Sequence, residues 1–231
     1  MMSINVRVIS VTNEPLIACA MAARTCTSST PIDDLAKMGE DGAEQLVKRV
    51  LRKGHESIAE FVDFTFLISG ISRACSHQLV RYRVASYAQQ SQRYVRTDVD
   101  NSWFTTPPSI AGNLPAMEKY LNFADSAAET YKQLIELGIP EEDARFVLPN
   151  AATTQIVVKM NGRELIHFCQ QRTCQKAQWE IRSVAFAMLR EARHRVPFLF
   201  AGKLFPDCDS KGECETCTAL RPSKRLNKEE L

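Results

Sequence analysis

Arg81-Tyr82-Arg83-Val84-Ala85-Ser86-Tyr87-Ala88-Gln89-Gln90-Ser91-Gln92-Arg93-Tyr94 carries three arginines, two serines, three glutamines and no acid. Arginine brings a rigid fork of donors that matches phosphate. Serine and glutamine add short donors and acceptors, and tyrosine offers a flat surface for a ring ligand. The mix suits a phosphorylated, aromatic, anionic molecule. The plain alternative is a solvated polar loop following a helix, since basic runs usually face water.

The flanks show what this stretch is attached to. Upstream, residues 71–83 fit a helix with Ile71, Cys75, Leu79 and Tyr82 along one stripe. Gln78 and Arg81, three apart, share another of its faces. Before it, Phe61 to Ile68 alternates as a strand, with Gly70 as punctuation. Ser57-x-x-Glu60 predicts a capping box opening a short helical turn. Residues 33–53 have helical spacing broken near Gly39–Gly42, and Gly54 suits the position past a helix end. A first strand is expected over 4–11 and a helix from Pro15 to Arg24.

Downstream, a short strand is expected at Trp103–Thr106, a long helix over 115–136, and a helix opened by Pro140 that contains Arg145. Thr153–Met160 is β-branched and reads as a strand. Asn161 then caps a helix to about Gln171, with Met160 and Leu165 as its apolar staple and Arg163 and His167 on one face. A further helix runs over 176–194 until Pro197.

A chain of 231 residues with 45% hydrophobic and 24% charged residues is ordinary for a globular protein with one large core. A net charge of +2 gives no general attraction to nucleic acid or membranes, and no apolar run approaches the ~20 residues of a span. The start lacks a signal-peptide pattern, so the eight cysteines read as reduced and the location as cytoplasmic. Residues 1–206 are taken as one domain and 207–231 as a polar tail. In that tail Cys208, Cys214 and Cys217 lack a clear fourth zinc ligand, His194 being the nearest candidate. No metal site is assigned.

Arg81-x-Arg83 followed by seven residues and then Ser91, and the ending Ser91-x-Arg93-Tyr94, resemble the signature of the flavin-dependent thymidylate synthases. Further blocks match in order: Gly54-His55-Glu56-Ser57, Gln78 three before Arg81, Ala144-Arg145-x-Val147-Leu148-Pro149, Asn161-x-Arg163, and Arg172 followed by Ala177-Gln178-Trp179-Glu180-Ile181. The resemblance implies an α/β fold of the α+β type, with a central mixed sheet and a flanking helical subdomain. It also implies a homotetramer with active sites between subunits. The implied reaction is reductive methylation of dUMP, with methylenetetrahydrofolate as carbon donor and FAD, reduced by NADPH, as hydride source.

By motif position the resemblance assigns dUMP to Gln78, Leu79, Val80, Arg81, Gln89, Gln90, Ser91, Gln92, Arg93, Arg145 and Arg172. FAD falls to Ser57, Arg81, Tyr82, Arg83, Gln89, Asn161, Gly162, Arg163 and His167, with His55 a neighbour of flavin and folate. Arg172 is the implied catalytic residue, stabilising charge on the uracil edge; its alternative is a salt bridge to Glu180. The chain departs from the family at Tyr82, where histidine is usual, at Gln89, where glutamate is usual, and at His167, where asparagine is frequent. Tyr82 is expected to keep a flavin contact by packing, the alternative being that it fills the apolar stripe. No cysteine is assigned as nucleophile. Two rival functions stand beside this one: hydroxymethylation of a pyrimidine nucleotide on the same scaffold, and a nucleic-acid-binding module, which near-neutral charge disfavours.

Overall fold

The computed structural model describes residues 4–35, 37, 39–101, 103–201 and 203. Its strands are β1 (Asn5–Val11), β2 (Asp63–Ser72), β3 (Ala85–Gln89) and β4 (Thr153–Asn161). Its helices are α1 (Pro15–Thr25), α2 (Ile32–Leu35), α3 (Glu40–Arg52), α4 (Arg73–Leu79), α5 (Pro108–Ala111), α6 (Leu114–Glu136), α7 (Glu141–Ala144), α8 (Gly162–Arg172), α9 (Trp179–Arg195) and α10 (Pro197–Phe200). Two 3₁₀ segments, Glu56–Phe61 and Arg145–Val147, complete the set. The strands hydrogen-bond in the order β1-β2-β4-β3. The bonds Thr12 N to Asp63 O, Arg73 N to Ala152 O and Gln90 N to Gln155 O join strand starts to strand ends, so the sheet is antiparallel. This α+β arrangement refines the mixed sheet that the resemblance implies.

The chain packs as two compact units. One is built from Ile4 and Asn5, Ile68–Arg81 and Tyr87–Val157. Its core is Val99, Trp103, Ala124, Ala127, Ala128, Tyr131, Ala144 and Ala152. The alanines of α6 recur at helical spacing and let neighbouring chain approach closely, while the Tyr131 hydroxyl accepts from Thr97 N at 3.1 Å.

The other unit is built from Val6–Leu67, Tyr82–Ser86 and the described residues from Val158 onward. Phe64 and Phe66 of β2 are fully buried, and Phe64 meets Phe200 at 6.3 Å between ring centroids. Burying each such ring is worth about 1.5–3 kcal/mol. Leu165, Phe168 and Cys169 of α8 and Val184, Ala185 and Met188 of α9 have no solvent exposure.

Two local signals act as expected. α3 ends in a Schellman motif: Gly54 adopts φ +81°, His55 N donates to Val50 O and Gly54 N to Leu51 O. Asn161 caps α8, its side-chain oxygen accepting from Glu164 N at 2.9 Å.

Other expectations are corrected. Ser57 does not open a capping box. The 3₁₀ segment starts at Glu56, directly after the Schellman closure, and no side chain caps it. Glu60 is drawn off by Arg163. The helix over 71–83 is shorter, because β2 continues through Gly70, at φ +72°, to Ser72, whose hydroxyl then caps α4. α4 stops at Leu79, so Arg81 is not on a helical face with Gln78. Ala85–Gln89, inside the opening stretch, is a strand that polar composition concealed. Gly42 lies inside α3, and the helix break falls before Glu40. Trp103–Thr106 contributes a single bridge, Phe104 to Ala152. Arg145 follows α7 rather than lying within it. The tail cysteines fall outside the described residues.

Candidate active site

In the first unit, the end of α4 and the turn after β3 position most of the residues assigned to dUMP. Gln78 is half-buried, Val80 and Arg81 are exposed, and Arg81 has no side-chain partner among the described residues. Leu79 is fully buried, so only its backbone can meet a ligand, and its carbonyl accepts from the Tyr87 hydroxyl at 2.9 Å. Gln89 points inward from β3 and donates to Ser76 Oγ (2.8 Å) and Thr154 Oγ1 (3.3 Å). Gln90 is tied through its backbone, its N–H donating to Gln155 O at 3.0 Å. Ser91 Oγ accepts from Arg93 N at 3.1 Å and shapes the turn. Arg93 forms an exposed ion pair with Glu142 at 2.8 Å, which raises the Arg93 pKa.

Gln92 and Arg145 line a pocket of about 230 Å³ with Arg73, His77, Leu148 and Pro149. Among the described residues no carboxylate lines it. Arg145 Nε donates to Glu142 O at 3.0 Å, which fixes the root of the guanidinium. Arg73 Nη1 donates to Gln90 O at 3.4 Å. Burial and, second, the charge of Arg145 lower the Arg73 pKa. Two like charges without a lining acid favour an anion between them.

In the second unit, the 3₁₀ segment and α8 are held together at Gly162. Its N–H donates to Val62 O at 2.6 Å, and a Cβ there would meet Ala59 O at 2.8 Å. This close approach positions exposed His55 and Ser57 on one element and exposed Arg163 and His167 on the other. Arg163 pairs with Glu60, whose hydrogen bond and charge raise the Arg163 pKa. His167 Nε2 lies 3.1 Å from Gln171 Nε2. Arg83 is exposed.

Tyr82 is 7% exposed. Its hydroxyl donates to Gln171 Oε1 at 2.8 Å, and its ring meets Phe168 edge-on at 4.9 Å. The Arg172 guanidinium lies over that ring, 5.4 Å from the centroid. Arg172 Nε is buried with no hydrogen-bond partner among the described residues, while the Arg172 guanidinium hydrogen-bonds the Tyr82 side chain. Burial raises the Tyr82 pKa, an effect the Arg172 charge opposes.

Sequence reasoning missed Arg73 and His77 of the pocket and the acids Glu142 and Glu60 that hold Arg93 and Arg163. Arg73 and His77 are four apart on α4, a spacing that puts them on one face and could have identified them. The acids lie 49 and 103 residues from their partners, and no local pattern announces them.

Residues 7–198 match the family model described as thymidylate synthase complementing protein. The chain belongs to the flavin-dependent thymidylate synthase family. The flavin-dependent thymidylate synthase of Geobacter sulfurreducens is 44% identical over 223 residues, covering 94% of this chain and 95% of that protein. The enzyme of that name from Pyrococcus furiosus is 42% identical over 225 residues, covering 95% and 92%. A solved structure of the UMP/dUMP methylase PolB from Streptomyces cacaoi, bound with 5-Br dUMP, superposes with a TM-score of 0.71 at 24% identity. It covers 86% of this chain and 93% of its own and shows the same fold. Family membership makes the chain a flavin-dependent methyltransferase of nucleotide biosynthesis. Among the described residues no helix is long and apolar enough to cross a membrane.

Proposed function

We propose that the protein converts dUMP to dTMP by reductive methylation, with FAD as the flavin and NADPH and methylenetetrahydrofolate as co-substrates. The observation that carries this reading is the Arg73–Arg145 pocket, which combines two guanidiniums, His77 and Gln92 with no lining carboxylate. At about 230 Å³ it is smaller than the ~300–1,000 Å³ of whole small-molecule sites and suits the phosphate end of a nucleotide. Gln78, Val80, Arg81, Gln89, Gln90, Ser91 and Arg93 complete the dUMP set, with Leu79 contributing backbone alone.

Ser57, Arg81, Arg83, Asn161, Arg163 and His167 fit an anionic dinucleotide. Apart from the half-buried Asn161 they are exposed, rich in donors, and the one acid paired among them is Glu60. Gln89 is assigned to the flavin by motif alone, and so is Tyr82, whose contacts in the structure are instead to Phe168, Gln171 and Arg172; Gly162 lends backbone, and His55 borders flavin and folate. When bound and reduced, FAD supplies the hydride, and methylenetetrahydrofolate supplies the carbon.

Carbon–carbon bond formation at C5 requires the uracil to become nucleophilic there, which pushes charge towards its oxygens. Arg172 provides fixed positive charge for that moment, and its guanidinium is already oriented before substrate arrives. No thiol is used. Cys169 is buried and its pKa is raised, the reverse of an activated nucleophile. The active form is a cytoplasmic homotetramer whose sites combine residues of different subunits.

The test is product analysis of FAD-loaded protein given dUMP, NADPH and methylenetetrahydrofolate. dTMP is expected. Hydroxymethyl-dUMP as sole product, or no product from flavin-loaded protein, overturns the assignment.

A further inference from the structure

We propose that Tyr82 is a positioning residue for Arg172: its ring carries the guanidinium, and its hydroxyl, bonded to Gln171, fixes the last turn of α8. This rests on the reading above that Arg172 stabilises charge on the uracil. It differs from a role for Tyr82 as a flavin contact.

The geometry assigns the role residue by residue. Arg172 is the last residue of α8, where helical hydrogen bonding gives out and side chains gain freedom. Its Nε has no hydrogen-bond partner among the described residues. Its orientation depends on Tyr82, whose ring lies 5.4 Å beneath the guanidinium and whose side chain hydrogen-bonds it. The ring cannot slide. Phe168 meets it at 4.9 Å with planes at 86°, and Gln171 accepts from its hydroxyl at 2.8 Å. Phe168, Gln171 and Arg172 all belong to α8, so one tyrosine clamps one helix end at three points.

The residue type matters. A tyrosine face attracts a cation and stays neutral throughout the working pH range. Histidine at this position would present a weaker face when neutral and a repelling charge when protonated, and burial beside Arg172 would lower its pKa below the ordinary value of about 6.5. The titratable or charged groups facing Tyr82 are Arg172, Glu164, Cys169 and His167, whose ring centroid lies 6.1 Å away.

The experiment compares Tyr82→Phe, Tyr82→His, Tyr82→Ala and Arg172→Ala, each saturated with FAD, for kcat, KM for dUMP, FAD affinity and pH profile. Tyr82→Phe keeps the ring and should lose kcat by only a few-fold. Tyr82→Ala should lose about 2- to 30-fold in kcat, the range of one cation–π contact, with FAD affinity within about threefold of the parent. Tyr82→His should acquire an acid limb in kcat below about pH 6.5 that the parent lacks, since burial and the Arg172 charge lower the imidazole pKa. If Tyr82→Ala instead loses FAD while its flavin-saturated kcat equals the parent's, Tyr82 is a flavin contact and the proposal is wrong. A Tyr82→His pH profile superimposable on the parent's also overturns it, and decides the matter if Tyr82→Ala fails to fold. Arg172→Ala separates the two readings: full turnover there sinks the role of Arg172 itself, whereas lost turnover beside unaffected Tyr82 variants sinks only the positioning role.

Discussion

Gly162→Ala should loosen the joint between the 3₁₀ segment and α8. A Cβ at Gly162 would stand 2.5 Å from Leu199 Cδ2 and 2.8 Å from Ala59 O. Leu199 can turn away. The Ala59 carbonyl cannot, because it is backbone in a segment whose Ile58 and Ala59 are buried. It must withdraw by about 0.6 Å to reach ordinary contact, and the Gly162 N to Val62 O bond, 2.6 Å now, must stretch with it. Overpacking of this kind costs about 1–3 kcal/mol. At ~2–4 °C per kcal/mol for a chain of this size, the melting temperature should fall by about 2–12 °C. The displaced elements carry His55, Ser57, Arg163 and His167, so FAD affinity should fall as well. The assays are thermal unfolding by circular dichroism and FAD titration by fluorescence. Gly112→Ala is the control, since its added Cβ meets Pro108 O at an acceptable 3.4 Å. An unchanged melting temperature in Gly162→Ala, or an equal drop in both variants, would refute the reasoning.

Three further outcomes are expected. Arg172→Ala should lower kcat by ~10²–10³, and Arg172→Lys should recover little, because a point charge lacks the planar fork; steady-state thymidylate formation measures both. Cys75, Cys169 and Cys174, changed singly to Ser, should each leave methylation detectable, and complete loss in a variant that still binds FAD and dUMP would contradict thiol-free chemistry. Burial raises the Cys19 pKa from 9.0 to about 12, so above pH 9 the unfolded chain releases a proton that the folded chain retains. Stability should therefore fall as pH rises from 9 towards 12, and the fall should be smaller in Cys19→Ala; urea midpoints at pH 8 and 10.5 report it, and parallel slopes in the two proteins would count against it.

The sequence by itself determined the elements with strong local signals. Asn161 as a helix cap, Gly54 past the end of α3, and the alternation of Phe64, Phe66 and Ile68 are set by backbone chemistry within a few residues. Ordered motif blocks were equally legible, because binding a phosphate needs the same residue types wherever the chain carries them. What tertiary structure decided is of another kind. β3 is built from Ala85, Ser86, Tyr87, Ala88 and Gln89, half polar, and becomes a strand because β4 offers it a partner edge. Tyr82, seemingly a member of the α4 stripe, lies beyond that helix and is buried through Phe168, Gln171 and Arg172, 86 to 90 residues away. Glu60 and Glu142 find Arg163 and Arg93 across 103 and 49 residues. Local propensity is a property of neighbours along the chain, whereas the orientation of Arg172 depends on a ring that only folding brings beneath it.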